Sequence, residues 1–476
     1  MKKIRNLGRT WTRLDDFERI FWYPTPVADY IYRHWKTDEL FATMFLNGCN
    51  PVLIKRCTEL PQAFSALKDE KLDSGNSLSA EIKNNRAYVA DYSILEGIKP
   101  NVLDGQQQHV AAPICILYED PTKGLTPVAI KIGRAPDDLV FRPKDGLAWL
   151  LAKLWVRNSE FYFHELSSHL LRTHLLAEVF ATAGYRCLPY THPVGKIMFP
   201  HGRYTLASCM NARNNFLNKN GFIDKYTGVG GGGQFDLLVK AFKLVTYDSL
   251  CLPDDLENRG VKDLKNYYYK EDGMQLWNAI NEFVNNFVDL VYKNDGEVKK
   301  DSNLQDWVKE IFHYGFLERE ASGIPSSLES KSAFKKYLTM ILFMCSAQHA
   351  AMNNGQFDIY AWVPNSPTTM RKPPPKYTED VTEEFIMQTL PEINVASRLM
   401  VTMYLTSYPG DDFVKLGDYP EHTFVEPEMK RCIEQFKKKL REIDENIKVR
   451  NKMLCSLDKL PYNYMEPSQI ENSIAM

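Results

Sequence analysis

The sequence predicts a mainly α protein with a small β subdomain. Residues 146–186 and 426–453 carry apolar residues at helical spacing over long stretches. Short alternating or apolar runs, which are typical of strands, fall together within 86–132. Length alone suggests two or three domains, but no linker-like stretch divides the 476 residues. We therefore expect one large domain over 1–476.

The first part of the chain predicts a helical region followed by a few strands. Residues 14–46 have a helical pattern. The runs 86–95, 113–118 and 126–132 suit strands. The last two flank 120–124 (DPTKG), and this turn sequence predicts that they pair as a hairpin.

The remaining elements are helices with one marked interruption. Residues 146–186 are apolar nearly all round, as in a helix buried inside a large core. The glycine-rich 228–233 predicts a flexible break and lacks the Lys-Ser/Thr ending of a phosphate loop. An apolar run at 337–344 indicates a further buried helix. The charge run within 426–453 is typical of an amphipathic helix with one solvated face.

Three histidines recur at five-residue spacing in the long buried helix: His164, His169 and His174. Neutral imidazole is the commonest protein metal ligand. Five residues do not repeat on one face of an α-helix, but a π-type turn would bring them together, and such turns are frequent at functional sites. Three core or capping histidines are the alternative at this point.

A second candidate segment follows the apolar run at 337–344. His349 and Asn353 stand four residues apart and share one face of an α-helix. Alternatively, both side chains bond to the backbone at a helix end. Together the two segments offer nitrogen and amide-oxygen ligands and no thiolate, which argues against a structural zinc site. Iron, manganese and catalytic zinc stay open.

Composition excludes several other classes. A net charge of −2 and a pI near 6.6 give no nucleic-acid-binding footprint. The basic start lacks the apolar region of a signal peptide, and no apolar stretch reaches membrane-spanning length. The nine scattered cysteines fit a reducing compartment. We therefore expect a cytoplasmic protein.

Several longer motifs resemble the lipoxygenases, specifically the animal type. They occur in the same order as in that family and extend through nearly the whole chain. The matching segments are 33–35 (RHW), 45–51 (FLNGCNP), 155–157 (WVR), 192–193 (HP), 200–206 (PHGRYTL), 362–375 (WVPNSPTTMRKPPP) and 471–474 (ENSI).

The resemblance implies one non-haem iron and its ligands. His169, His174, His349 and Asn353 fall on ligand positions of the family. The fifth ligand of the family is the C-terminal carboxylate, normally of an isoleucine, and here the last residue is Met476.

Further positions are implied around the iron. His164 falls on a neighbouring histidine that is not a ligand, while Glu165 and Gln356 fall on polar positions that link the metal to the substrate cavity. Ala212 occupies the position where alanine accompanies S products. Phe216 stands where the family usually has a leucine over the pentadiene. The cavity positions are Phe161, Ala212, Phe216, Tyr226, Thr227 and Thr402, and for each of them plain core packing is the alternative.

The resemblance also implies a helical catalytic domain with a small β subdomain. We expect a chain without the membrane-binding N-terminal β-sandwich of animal lipoxygenases and with a short opening to the catalytic domain, either as a natural short form or as a fragment of a longer protein. We expect a monomer with at most weak peripheral membrane contact.

The implied activity is insertion of O2 into arachidonate-like polyunsaturated fatty acids to give S-hydroperoxides. Iron can remove the bis-allylic hydrogen, which acid–base side chains cannot. One alternative is a hydroperoxide isomerase that forms epoxyalcohols at the same iron. Another is a metal-free interaction protein.

Overall fold

The computed structural model describes residues 11–21, 24–407, 410 and 412–475. Helices dominate this part of the chain, and its strands all precede residue 142. The α-helices are α1 (Pro26–His34), α2 (Asp38–Asn47), α3 (Leu78–Lys83), α4 (Leu147–Phe163), α5 (Leu176–Cys187), α6 (Pro193–His201), α7 (Thr205–Ala212), α8 (Phe222–Tyr226), α9 (Gly233–Leu244), α10 (Tyr247–Leu250), α11 (Leu252–Asn258), α12 (Tyr268–Val291), α13 (Asp295–Lys300), α14 (Ser302–Glu310), α15 (Lys331–Phe343), α16 (His349–Asn353), α17 (Gln356–Tyr360), α18 (Glu383–Thr389), α19 (Ile393–Thr406) and α20 (Pro427–Ser456). The strands are β1 (Lys55–Arg56), β2 (Ala87–Asp91), β3 (Val102–Leu103), β4 (Gln106–Gln107), β5 (Ile114–Asp120), β6 (Gly124–Lys131) and β7 (Val140–Phe141).

The predicted helical region at 14–46 is present but divided into three pieces. A 3-10 turn at Leu14–Arg19 precedes α1 and α2. The hydroxyls of Thr25 and Thr37 accept N–H groups of the first turn in α1 and α2 respectively. Each threonine therefore caps a new helix and sets its start.

The predicted strands and hairpin are confirmed. They form an antiparallel sheet in the order β1-β2-β5-β6-β7, and β3 pairs with β4 separately. In the β5–β6 turn the Asp120 carboxylate accepts the backbone N–H of Thr122 at 2.8 Å and of Lys123 at 2.9 Å. Gly124 closes the turn with φ of +77°, which glycine adopts without strain.

The sheet is buried on both faces. Tyr88 and Leu117 point into the main helical core. Val89 and Ile116 point the other way, into a smaller core that includes Phe64. Because successive strand residues alternate between faces, both sets of side chains must be apolar.

The long buried helix is confirmed over 147–187 and is called the first histidine helix below. It consists of α4, a π-helical segment at His164–Leu175 and α5. Every residue from 148 to 162 is buried. A helix without a solvated face must lie inside the core, as its sequence predicts.

The second candidate segment forms another buried helix, called the second histidine helix. It comprises α15, a π-helical segment at Met344–Gln348 and α16. The predicted amphipathic helix near the C-terminus is α20, which packs along α12. Among the described residues, no helix has both the length and the apolar character needed to cross a bilayer.

The glycine-rich break at 228–233 is present, and two of its glycines allow close packing against the core. Gly228 and Gly230 are buried. A Cβ at Gly228 would lie 2.4 Å from the Tyr162 hydroxyl, and one at Gly230 would lie 2.4 Å from the Asn101 amide nitrogen. At Gly228 and Gly230 the missing side chain is therefore required by tight contact with the core.

Candidate metal centre

The π-helical segment brings two of the three regularly spaced histidines together. Over His164–Leu175 the helix is wound more widely than an α-helix. The Nε2 atoms of His169 and His174 lie 3.2 Å apart. The π-type turn inferred from the five-residue spacing is thus confirmed.

The second histidine helix adds a third imidazole to this pair. His349 Nε2 lies 3.2 Å from His174 Nε2. Ligand atoms of His169, His174 and His349 all fall within 4.8 Å of one another. These three side chains, from two helices, are called the histidine cluster.

The histidine cluster is buried. Burial lowers the pKa of His169, and burial together with the neighbouring imidazoles His169 and His349 lowers the pKa of His174 well below its usual value. His169 and His174 are therefore neutral at physiological pH and present lone pairs.

The cluster fits a metal cation better than it fits hydrogen bonding alone. The Ser208 hydroxyl lies 3.4 Å from His174 Nδ1, and a carboxylate oxygen of Glu165 lies 3.8 Å from His169 Nδ1. These partners favour the tautomers with Nδ1 protonated, so the Nε2 lone pairs face each other. Two nitrogens bound to one ion at about 2.1 Å each lie roughly 3 Å apart, close to the observed separation.

Glu165 supplies negative charge beside the cluster. Burial raises the pKa of Glu165, but the imidazoles of His164 and His169 lower it to about 2. One of its carboxylate oxygens is buried without a hydrogen-bond partner among the described residues. An ionised, incompletely satisfied carboxylate at this position would offset the charge of a bound cation.

His164 lies outside the cluster because both of its ring nitrogens are already used. Its Nε2 donates to the Met352 carbonyl at 2.9 Å, and its Nδ1 accepts the Tyr360 hydroxyl at 2.6 Å. The ring stacks on His169, with centroids 5.4 Å apart. Sequence reasoning missed Tyr360, Met352 and Ser208, because no local pattern marks residues that act through distant contacts.

Asn353 and Gln356, which follow His349 in sequence, are joined by a hydrogen bond. Asn353 ends α16 one turn after His349, and both border the same cavity. The Gln356 side-chain amide donates to Asn353 Oδ1 at 2.8 Å. This bond fixes the orientation of the Asn353 amide.

The C-terminal segment is buried up to the last described residues. Ile470, Asn472, Ser473 and Ile474 are almost completely buried. The Leu416 amide donates to the Ile470 carbonyl at 2.9 Å, and the Asn472 amide donates to the Val414 carbonyl at 2.8 Å. The expected Met476 carboxylate ligand lies outside the described residues.

Some of the expected cavity residues come together. Phe161 is buried against Tyr360, with ring centroids 5.1 Å apart. Phe216 and Tyr226 both pack on Phe222 at 5.7 Å. Thr402 lies on α19, which contacts α8.

The other two expected cavity residues are Ala212 and Thr227, and they make different contacts. Ala212 ends α7, the helix whose Cys209 thiol donates to the His174 carbonyl. Thr227 is fully buried, and its hydroxyl donates to the Ile223 carbonyl at 2.8 Å. These contacts favour a packing role for Thr227.

Comparison with known proteins identifies the family. A sequence model of the lipoxygenase family matches residues 2–467. The chain belongs to the lipoxygenase family. It is 44% identical over 481 residues to the Mus musculus polyunsaturated fatty acid lipoxygenase ALOX8, covering 99% of this chain and 70% of that protein. It is 42% identical over 484 residues to the Rattus norvegicus hydroperoxide isomerase ALOXE3, covering 100% of this chain and 68% of that protein.

Solved lipoxygenase structures share the fold. An anaerobic crystal structure of a lipoxygenase in complex with arachidonate superposes with a TM-score of 0.92 at 33% identity, covering 98% of this chain and 71% of that one. The expected helical lipoxygenase fold with a small sheet is therefore confirmed. The chain is an oxygenase of the animal lipoxygenase type, and its histidine cluster can hold a metal ion.

Proposed function

We propose that this chain is an iron-dependent dioxygenase that adds O2 to polyunsaturated fatty acids such as arachidonate. The observation that carries the proposal is the histidine cluster, in which nitrogen ligands converge without a thiolate. Membership of the lipoxygenase family and the similarity to ALOX8, a polyunsaturated fatty acid lipoxygenase, support a fatty-acid substrate.

The proposed iron ligands are His169, His174, His349, the Asn353 side chain and the Met476 carboxylate. When bound, iron supplies the one-electron oxidation that removes a bis-allylic hydrogen. Gln356 holds the Asn353 amide in place through its 2.8 Å bond.

We assign the other roles to residues around the histidine cluster. Glu165 stays ionised and balances charge, and His164 braces His169 by stacking. Phe161 and the aromatic group around Phe222 provide apolar surface that keeps water away from a radical.

One experiment tests this function directly. The purified protein is assayed for metal by mass spectrometry, for oxygen uptake with arachidonate, and for product chirality. We expect about one iron per chain, oxygen consumption and an S-hydroperoxide. A protein that holds no iron, or that consumes no oxygen with arachidonate, contradicts the proposal.

A hydroperoxide isomerase is the second candidate. Phe216 packs on Phe222 beside Tyr226, and such aromatic crowding could restrict oxygen access. The similarity to ALOXE3 also favours it. Consumption of added hydroperoxide without oxygen uptake would select this candidate over the dioxygenase.

Ala212→Gly tests the S configuration. We expect part of the product to become R at a different carbon, because removing the methyl group opens space for oxygen at one end of the pentadienyl radical. Chiral chromatography of the arachidonate product measures the shift. A racemic product from the unsubstituted protein would show that oxygen adds outside the site.

We also propose a cytoplasmic monomer with at most weak peripheral membrane contact. The net charge of −2 gives no reason to expect nucleic-acid binding. Light scattering after size exclusion measures the oligomeric state, and its repetition with phosphatidylcholine vesicles measures membrane contact.

A further inference from the structure

A polar cleft lies between the second histidine helix and the C-terminal segment. It has a volume of about 490 Å³. Its rim includes the exposed Ser407, Lys415 and Gln469, and its inner end includes His349 and Asn353. Of the residues that line it, Ala350 and Phe413 alone have wholly apolar side chains. His169 and His174 are not among the lining residues, so the cleft approaches the histidine cluster from the His349 side.

We infer that metal ions enter and leave the histidine cluster through this polar cleft. The inference rests on the proposed iron site. A hydrated divalent cation is strongly disfavoured in an apolar cavity, such as one that accepts a fatty-acid chain, but it can pass along polar groups. Six waters occupy roughly 180 Å³ at about 30 Å³ each, so the polar cleft has room for a hydrated ion.

The walls of the polar cleft carry more negative than positive charge. Asp358, Glu466 and Glu471 line it, against the single lysine Lys415. Glu471 is paired with Arg203 at 3.2 Å, and Asp358 and Glu466 are the other two acidic groups in these walls. This charge raises the local concentration of cations and so speeds their approach.

The acidic groups are fixed in the walls and do not form a separate binding site. Asp358 accepts hydrogen bonds from Thr25 and Tyr464, and Glu466 accepts one from Asn451 at 3.1 Å. Asn354 donates to the carbonyls of Tyr464 and Gln469, which ties the two walls together. The polar cleft is thus held open by fixed walls, and His349 and Asn353 are among the residues that line it.

Two substitutions at the rim test the passage without touching the proposed ligands. Ser407→Trp narrows it, and Lys415→Glu makes it more acidic. Lys144→Glu is the matched control, because it makes the same charge change at an exposed residue that lines a different groove. Thermal unfolding confirms that each variant is folded.

The readouts are the rate of iron release into excess ferrous chelator and the rate at which Co²⁺ absorption bands appear in the metal-free protein. We expect Ser407→Trp to slow both rates at least fivefold. Lys415→Glu should speed uptake roughly threefold at low ionic strength, with the gain lost near 0.5 M salt. Final metal content should be unchanged in both.

The outcomes separate this inference from the proposed function. If the unsubstituted protein binds no metal, the proposed iron site is wrong and the passage falls with it. If it binds about one metal ion but Ser407→Trp and Lys415→Glu exchange it as fast as Lys144→Glu, the iron site stands and the passage is wrong.

Discussion

The first and second histidine helices differ in what fixes their side chains. On the first, the π-helical segment sets the spacing of His169 and His174, and Tyr360 and Met352 lock His164. On the second, His349 and Asn353 border the polar cleft, and the Gln356 amide donates a hydrogen bond to Asn353 Oδ1. All three imidazoles of the cluster are buried, but the polar cleft is lined from the second histidine helix and not by His169 or His174.

This difference predicts how the centre responds to change. A ligand lost from the first histidine helix leaves a gap that its close-packed neighbours cannot fill. We expect a change beside the polar cleft to leave the histidine cluster assembled, because its three imidazoles are carried by the two buried helices. The two helices should therefore respond differently to substitution.

His174→Ala should remove metal and activity together. His174 Nε2 lies 3.2 Å from each of the other two cluster nitrogens, so its loss leaves the remaining ligands without a common centre. Metal analysis should fall to background, with activity reduced at least about 100-fold. His164→Ala is the control and should be milder. Stoichiometric iron in the His174 variant would show that the ligand assignment is wrong.

Adding one glycine after Met476 should remove most of the activity. The extension displaces the terminal carboxylate, which we propose as a ligand because the segment leading to it is buried through Ile474. Met476→Ile is the control: it keeps the carboxylate, has a similar volume and should retain iron. Oxygen uptake and iron content are measured for both. Full activity in the extended protein would mean that water or another side chain fills the fifth position.

Gln356→Met should weaken metal binding roughly tenfold while leaving the site assembled. The substitution removes the donor that orients Asn353 Oδ1 but keeps most of the side-chain volume. Iron retained during titration with a competing chelator measures the affinity. The same change at Gln388, whose amide donates to Glu384 on the surface, is the control. Equal affinities in the two variants would show that the Asn353 amide needs no orienting partner.

His201, a buried histidine outside the cluster, should make the stability of the protein depend on pH. The ring is buried and shares a 2.9 Å hydrogen bond with the Tyr419 hydroxyl. Burial lowers the pKa of His201 to about 4, against 6.5 for the ordinary imidazole. Between these values the unfolded chain binds the proton more tightly than the folded chain. This contribution to stability is therefore complete above about pH 6.5 and is lost as pH falls towards 4.

His201→Gln measures this contribution. We expect the free energy of unfolding of the parent to fall by about 2–3 kcal/mol more than that of the variant between pH 7 and pH 4. His313→Gln, at an exposed histidine, is the control and should follow the parent. Parallel pH curves for the parent and His201→Gln would mean that His201 is not kept neutral by burial.

Much of the fold could be predicted from local patterns. The buried helix at 147–187, the hairpin at 120–124 and the amphipathic α20 follow from apolar spacing and turn residues. The division of the helical region at 14–46 was not predicted, although Thr25 and Thr37 are ordinary N-cap residues. The helical pattern of apolar residues continues through both threonines, so it does not show that new helices begin there.

The candidate site could be predicted only in part. The histidine spacing indicated a π-type turn, and the resemblance to lipoxygenases selected His349 as the partner of His169 and His174. The positions of Phe161 and Thr402 relative to substrate stay predictions. The reason for the glycines at 228–233 was missed, since it depends on Tyr162 and Asn101, which are remote in sequence.

By itself, the sequence determined the chemical identity of the candidate ligands and the helices that carry them. Residue types and their spacing are local properties, so they can be read directly from the sequence. The tertiary structure decided which imidazoles meet and which do not. His164 is excluded from the cluster by Tyr360, which lies 196 positions further along the chain. The polar cleft likewise forms where the C-terminal segment lies beside α16. These two regions are distant in sequence, so no local pattern predicts that they meet.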